Sequence, residues 1–199
     1  MKNTLVLLLA ILSYYVIADQ RFILGSLEGD IAVGENEIRG FETPSTSIVT
    51  GLGARLLNFK DEGLYFGTGF KYLTGERKIC FIFCDSYDAN ETSLFGEIGR
   101  NMGQWTPFVG VTFHSSEVVF PNESVNNESW GLDLGFWLEY DKFKLRGVLI
   151  NLNDEDYRTF SVSRLVQTDN KLVLGYELGW LLDSEIYQFS FSLQIGRSF

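Results

Sequence analysis

The chain ends YQFSFSLQIGRSF, residues 187–199, and this stretch decides the reading of all the others. Tyr187, Phe189, Phe191, Leu193, Ile195 and Phe199 fall on one side of a period of two, interrupted only by Arg197. Gln188, Ser190, Ser192, Gln194, Gly196 and Ser198 fall on the other. A repeat of two is the signature of a strand with one apolar and one polar face. Few strands of soluble sandwiches carry so many large apolar groups over so long a run.

The same alternation recurs upstream. In SWGLDLGFWLEYDK, Trp130, Leu132, Leu134, Phe136, Leu138 and Tyr140 oppose Gly131, Asp133, Gly135, Trp137 and Glu139. In KLVLGYELGWLL, Leu172, Leu174, Tyr176, Leu178 and Trp180 oppose Val173, Gly175, Glu177 and Gly179. In GLYFGTGFKYL, Leu64, Phe66, Phe70 and Tyr72 oppose Tyr65, Gly67, Gly69 and Lys71. The pattern predicts ten strands, at roughly 21–34, 46–58, 63–74, 92–102, 105–118, 129–140, 143–152, 157–166, 171–181 and 187–199. Alternation is blurred at 92–102, 143–152 and 157–166; losing one hairpin would leave eight strands.

The N-terminus reads MKNTLVLLLAILSYYVIADQ. Lys2 supplies a positive start, Leu5 to Leu12 an apolar core, and Val16-Ile17-Ala18 a cleavage site before Asp19-Gln20. That order is a secretory signal peptide over residues 1–18, leaving 19–199 as one domain. The apolar core is short for a membrane anchor, which needs about 20 residues. No later stretch is a spanning helix, so membrane insertion would have to use strands in a closed barrel.

A last strand of alternating aromatic and aliphatic residues ending in Phe199 resembles the C-terminal signature of Gram-negative outer-membrane barrels, and the leader agrees with it. The chain thus resembles the small barrels of the OmpA, OmpX and OmpW type. The resemblance implies a closed, antiparallel, up-and-down transmembrane β-barrel in the cell outer membrane. It also implies that Phe199 serves as the assembly signal read by the barrel assembly machinery. Arg197 stands where the class has an apolar residue, near the membrane edge, where a long side chain can snorkel.

Connections after even-numbered strands are short: FKDEG, GQ, YDKF and TDNK. Those at 35–45, 75–91 and 119–128 are expected as long loops. Short periplasmic turns with longer outer loops are the habit of such barrels, which puts both termini in the periplasm. The net charge of −10 and the lack of a basic cluster argue against nucleic acid as a partner. The acids gather in GENEIRGFE, DSYDANE, NDEDY and DSE, read as solvated loops or as a surface that divalent cations could bridge to lipopolysaccharide. Outer-membrane lipid and lipopolysaccharide are the expected partners.

Alternation points Glu28, Asp30, Arg55, Lys71, Glu97, Asp133, Glu139, Lys144, Arg146, Glu177, Gln188 and Gln194 into the lumen. A barrel of about eight strands is just filled by its own side chains, so a packed polar lumen is expected rather than an open channel. Oppositely charged groups enclosed there must pair. A lipocalin-like barrel would reverse the two faces and enclose the apolar one around a ligand.

Cys80 and Cys84 in CFIFC suit a disulfide in an exported protein, unless an extended backbone holds them apart. They are too few for a zinc set, and no metal or other cofactor is expected. Between them Phe81, Ile82 and Phe83 are apolar residues in an expected outer loop, available to a partner or folded over the mouth.

His114 and Ser116 share a strand face, and Glu128 opens the next strand. A serine nucleophile, a histidine base and an orienting carboxylate could meet there. The stretch resembles the active-site region of the outer-membrane lipid A deacylases, which implies Ser116 as nucleophile, His114 as base and Glu128 as orienting acid. Glu117 stands where that family has an asparagine, and Val109, Val111 and Phe113 as the lipid face would turn His114 and Ser116 inward. The expected role is therefore non-enzymatic, structural or surface-binding, with a lipid A deacylase or a narrow solute pore as alternatives.

Overall fold

A computed structural model describes residues 19–38, 41–80, 83–121, 123–155, 157–182 and 186–199. The leader expected at 1–18, together with Phe81 and Ile82, lies outside the described residues. The described residues form ten strands: β1 (Gln20–Ile38), β2 (Phe41–Phe59), β3 (Leu64–Cys80), β4 (Cys84–Arg100), β5 (Trp105–Val119), β6 (Ser124–Tyr140), β7 (Phe143–Ile150), β8 (Thr159–Gln167), β9 (Leu172–Leu181) and β10 (Tyr187–Ser198). Each pairs antiparallel with its chain neighbours, and β10 returns to β1, so the sheet closes into an up-and-down barrel with ten strands rather than eight.

The closing seam uses the C-terminal stretch. Its pairs run from Phe22 opposite Ser198 to Val33 opposite Tyr187. At its end the Arg21 N–H donates to the Phe199 carbonyl at 3.3 Å, and the Phe199 N–H donates to the Arg21 carbonyl at 2.9 Å. Closure leaves no exposed sheet edge over this span, which is what an enclosed or lipid-facing sheet requires.

The apolar face looks outward. Leu52, Trp130 and Leu193 are 63%, 63% and 58% exposed, whereas Glu97 and Arg146 on the opposite face are 3% and 5% exposed. This is the arrangement of a transmembrane barrel and the reverse of the lipocalin alternative. The rings sit in cross-strand pairs near the two margins of the apolar belt. Trp105 stacks on Phe136 at 5.7 Å and Tyr140 lies 5.4 Å from Phe143 at the near end, the one that carries Gln20 and Phe199. Phe113 with Trp130 at 4.8 Å and Phe160 with Trp180 at 4.9 Å mark the far margin. Such pairs both lock neighbouring strands and suit an interface where one side is apolar and the other wet.

The four near-end turns are short, as the sequence indicates. Each contains one residue in the left-handed region: Glu62 at φ 48°, Gly103 at 83°, Asp141 at 51° and Lys171 at 65°. Tight hairpins need that conformation to reverse the chain without splaying the strands. Two neighbouring turns are joined by Lys142 Nζ and Asp169 Oδ1 at 2.7 Å. This hydrogen-bonded ion pair holds the Asp169 carboxyl below its usual range and the Lys142 ammonium above its own.

The far end differs from the expectation of long loops. Most of 35–45 and 75–91 is strand, since β1 and β2 run on to Ile38 and from Phe41, and β3 and β4 to Cys80 and from Cys84. The connection expected at 119–128 shrinks likewise, because β6 starts at Ser124. The reason lies on the inner face, where Val49, Leu73, Ala89, Ile79 and Val118 stay buried above the belt. Burial keeps the ladder running although the outward residues have become polar. Strands β1–β6 have 15–19 residues and β7–β10 only 8–12, so a tall six-stranded wall faces a low four-stranded one.

Inward glycines make room for the lumen's large groups. A Cβ on Gly135 would lie 2.4 Å from Phe108 Cζ and 2.7 Å from the Gly147 carbonyl oxygen. On the outward face, a Cβ on Gly96, between the exposed Leu94 and Ile98, would meet nothing within 4 Å. Gly135→Val is therefore expected to destabilise the barrel by about 1–3 kcal/mol through overpacking, with Gly96→Val within about 0.5 kcal/mol of the parent. Urea unfolding in lipid vesicles, followed by tryptophan fluorescence, checks both.

Candidate functional site

The lumen is built in layers. At the near end, Phe22, Leu24, Leu57, Phe59, Tyr65, Phe108, Trp137, Val148, Leu165 and Val173 form one buried apolar cluster. Phe59 is its hub, 4.7 Å from Tyr65 and 5.8 Å from both Phe22 and Trp137. Lys144 Nζ sits 4.4 Å over the Phe59 ring and pairs with Glu139 at the near-end margin. The polar-face alternation reserves these positions for polar groups in a water-filled barrel. Aromatics there instead form an apolar plug that closes the near half of the lumen. The sequence signal was present: Tyr65 and Trp137 are large rings on otherwise small or charged strand faces.

Above the plug lies a continuous polar relay. Trp137 Nε1 donates to the Tyr65 hydroxyl at 2.9 Å, and the Tyr65 hydroxyl donates to Glu97 Oε2 at 2.5 Å. Arg146 pairs with the other oxygen of Glu97 and approaches Glu177 at 3.7 Å. Arg55 pairs with Glu177, which also accepts from the Ser161 hydroxyl at 2.8 Å. Seven strands are thereby tied across the barrel: β6, β3, β4, β7, β9, β2 and β8. Arg146 further lies 5.2 Å over the Phe108 ring and 5.8 Å over Trp137, so the ion pairs rest directly on the plug. Every inward residue named from the sequence faces the lumen.

Beyond this layer the lumen widens into a vestibule of about 580 Å³ that reaches the far rim at Arg77, Asn126 and Asn127. Its floor carries Glu28, held by the hydroxyls of Ser26 at 2.5 Å and Ser192 at 3.0 Å. Asp133 accepts from Thr112 at 2.5 Å and from the Asn151 N–H at 3.1 Å. Asp30 accepts from Gln188 at 2.9 Å and lies 3.8 Å from Lys71. Glu91, only 8% exposed, has an oxygen, Oε2, with no hydrogen-bond partner.

The three residues proposed as a hydrolytic set are not brought together. His114 and Ser116 line the vestibule. Glu128 stands opposite Ser115 in the β5–β6 register, and Ser115 is of the other parity, so Glu128 belongs to the outward face and is exposed. Asn127 stands opposite Ser116 instead. The alternation already carries this parity, since Glu128 falls on the side of Trp130 and Leu132. The partner of His114 is one the sequence reading passed over: Ser93 on β4 lies with its hydroxyl 2.9 Å from His114 Nδ1. Among the described residues no group of three or more His, Cys, Asp and Glu side chains is placed to hold a metal ion.

At the far tip of the β3–β4 hairpin, Cys80 and Cys84 form a disulfide. They face each other as the last register pair of two strands, so the concern about one extended backbone does not arise. Phe83 beside them is 81% exposed. At the near end Phe199 is exposed, with the Arg197 guanidinium 5.9 Å from its ring.

No protein-family model matches the chain, and no curated protein does. Solved structures do. The translocator domain of the autotransporter NalP from Neisseria meningitidis superposes with a TM-score of 0.50 at 11% identity, covering 98% of this chain and 95% of that one. The outer-membrane protein OprG from Pseudomonas aeruginosa gives 0.49 at 12% identity over 92% and 96% of the two chains. The attachment invasion locus protein Ail of Yersinia pestis gives 0.47 at 9% identity over 92% and 100%. The likeness is one of fold alone, a closed antiparallel β-barrel.

Removing one partner from a buried ion pair leaves the other charge uncompensated, at a cost of about 3–5 kcal/mol. Arg146→Met should therefore lower the urea midpoint by an amount corresponding to about 3 kcal/mol, because Glu97 loses its only salt-bridge partner among the described residues. Adding Glu97→Gln should restore most of that loss; equal damage by the single and double variants would contradict the relay as drawn.

Proposed function

We propose that this chain is a non-enzymatic outer-membrane barrel with a structural or surface-binding role, exerted at the cell surface by the tall wall of β1–β6. The observation that carries this reading is the inside-out distribution of side chains together with the plug. An apolar belt surrounds a charged interior, and an aromatic cluster fills that interior at the near end. A barrel so arranged is solvated by lipid outside and is closed to general diffusion.

In this reading the near end, with its short turns, is periplasmic, after removal of residues 1–18 as a leader. The C-terminal strand with Phe199 is what the assembly machinery engages. Outer-membrane lipid surrounds the belt, and lipopolysaccharide meets the outward faces above it. Those faces carry Glu76, Asp88, Glu117 and Glu128, so contact with an anionic surface would run through divalent cations. The plug weighs against a narrow pore, and the outward position of Glu128 weighs against a deacylase built on His114 and Ser116.

Cell fractionation with an unboiled detergent gel tests the placement. The protein is expected in the outer-membrane fraction, with a band that shifts on heating; recovery from the soluble periplasm would overturn it. In planar bilayers no stable conductance steps are expected, and their appearance would favour the pore. Lipid A mass spectra should not change on expression. A change abolished by Ser116→Ala would move the role to an enzyme.

A further inference from the structure

The vestibule is a charge-imbalanced compartment. Five carboxylates line it, Glu28, Asp30, Glu91, Asp133 and Glu177, against four cationic side chains, Arg55, Lys71, Arg77 and Arg146. Arg55 and Arg146 are committed at the floor to Glu177 and to Glu97 beneath it. Lys71 lies against Asp30. Glu28 and Asp133 are held by neutral donors alone. Glu91 keeps an oxygen with no partner although the residue is 92% enclosed, the complement of its 8% exposure. Among the described residues that line it, this leaves Arg77 as the one cation in no salt bridge, against Glu28, Glu91 and Asp133, which form none. With Glu97 just beneath included, six carboxylates stand against four cations, an excess of two negative charges.

Such an excess is costly unless a cation enters, because a buried carboxylate without a counter-charge loses its hydration and gains nothing in return. The space of about 580 Å³ lies within the range of small-molecule sites. A bare metal ion does not suit it, since no group of three ligating side chains is assembled among the described residues. An ammonium does. Its N–H groups need acceptors, and Ser116 stands directly opposite Glu91 in the β4–β5 register with a neutral hydroxyl. The aliphatic groups of Val118, Val125 and Ile186 also line the vestibule and offer a surface for a hydrocarbon stem.

We propose that the vestibule is a binding site for a small aliphatic diamine, with one ammonium seated on the Glu91 carboxylate beside Ser116. The excess of two charges matches a dication. The site opens toward the far end and is blocked below by the plug, so it captures solute from that side without passing it on. The proposal concerns the folded barrel and holds wherever the barrel resides.

The test is calorimetric titration of the detergent-folded protein with 1,4-diaminobutane at low ionic strength. Saturable one-to-one binding is expected with a Kd of about 1 mM or tighter, weakened about tenfold or more in Glu91→Gln. Glu128→Gln, an exposed outward acid, should bind as the parent does, and succinate should not bind. Ser116→Phe, which fills the vestibule from the facing strand, should abolish binding. A heat-shifted gel band establishes that each variant has folded. Absence of saturable heat in the parent, parent-like affinity in folded Glu91→Gln, or equal binding of succinate would each overturn the proposal. Should neither vestibule variant fold, the contrast between diamine and succinate on the parent protein decides.

Discussion

The structure depends on the placement of Arg146. Its guanidinium is enclosed at the level where the plug ends, lying over two aromatic rings and facing Glu97 and Glu177. Enclosed charges of this kind tolerate little error, since each must find a partner within the barrel or forfeit its hydration. Seven of the ten strands contribute to the network around it, so the register of distant strands is coupled through one layer of side chains. The Tyr65 hydroxyl links that layer to the apolar cluster below, accepting from Trp137 and donating to Glu97. A ring with one polar tip is what such a boundary needs.

From this layer the barrel acquires polarity along its axis. On the near side, rings and aliphatic groups exclude water. On the far side the lumen opens and its carboxylates outnumber their cations. The wall follows the same asymmetry, with six long strands standing above four short ones. The long strands persist above the belt because their inner faces still bury Val49, Leu73 and Ala89. The disulfide between Cys80 and Cys84 ties off the β3–β4 hairpin at its far tip.

Much of this was legible beforehand, for a physical reason. Where lipid-facing and lumen-facing residues differ in polarity, period two shows plainly, as at Tyr187–Phe199 and Trp130–Tyr140. It blurred at β7 and β8 because the plug makes inward positions apolar too. Val148 meets the cluster while Leu149, its neighbour, points the other way. The far-end strands were read as loops because their outward residues are polar and their inner apolar residues sparse. The candidate triad failed on a parity the alternation itself carried, since Glu128 shares the outward side of Trp130 and Leu132. Ser93 escaped notice because it lies on β4, whose alternation is weak, and only the β4–β5 register sets it opposite His114.

The central claim is that the greasy face of every strand looks outward and the aromatic plug looks in. The four tryptophans report on it directly, since Trp105, Trp130 and Trp180 face out at 48%, 63% and 38% exposure whereas Trp137 is 2% exposed. Single-tryptophan variants folded into bilayers containing brominated lipid make the measurement. Fluorescence from Trp105, Trp130 and Trp180 should be quenched by the bromine and that of Trp137 should persist. Quenching of Trp137 while the other three stay bright would contradict the account.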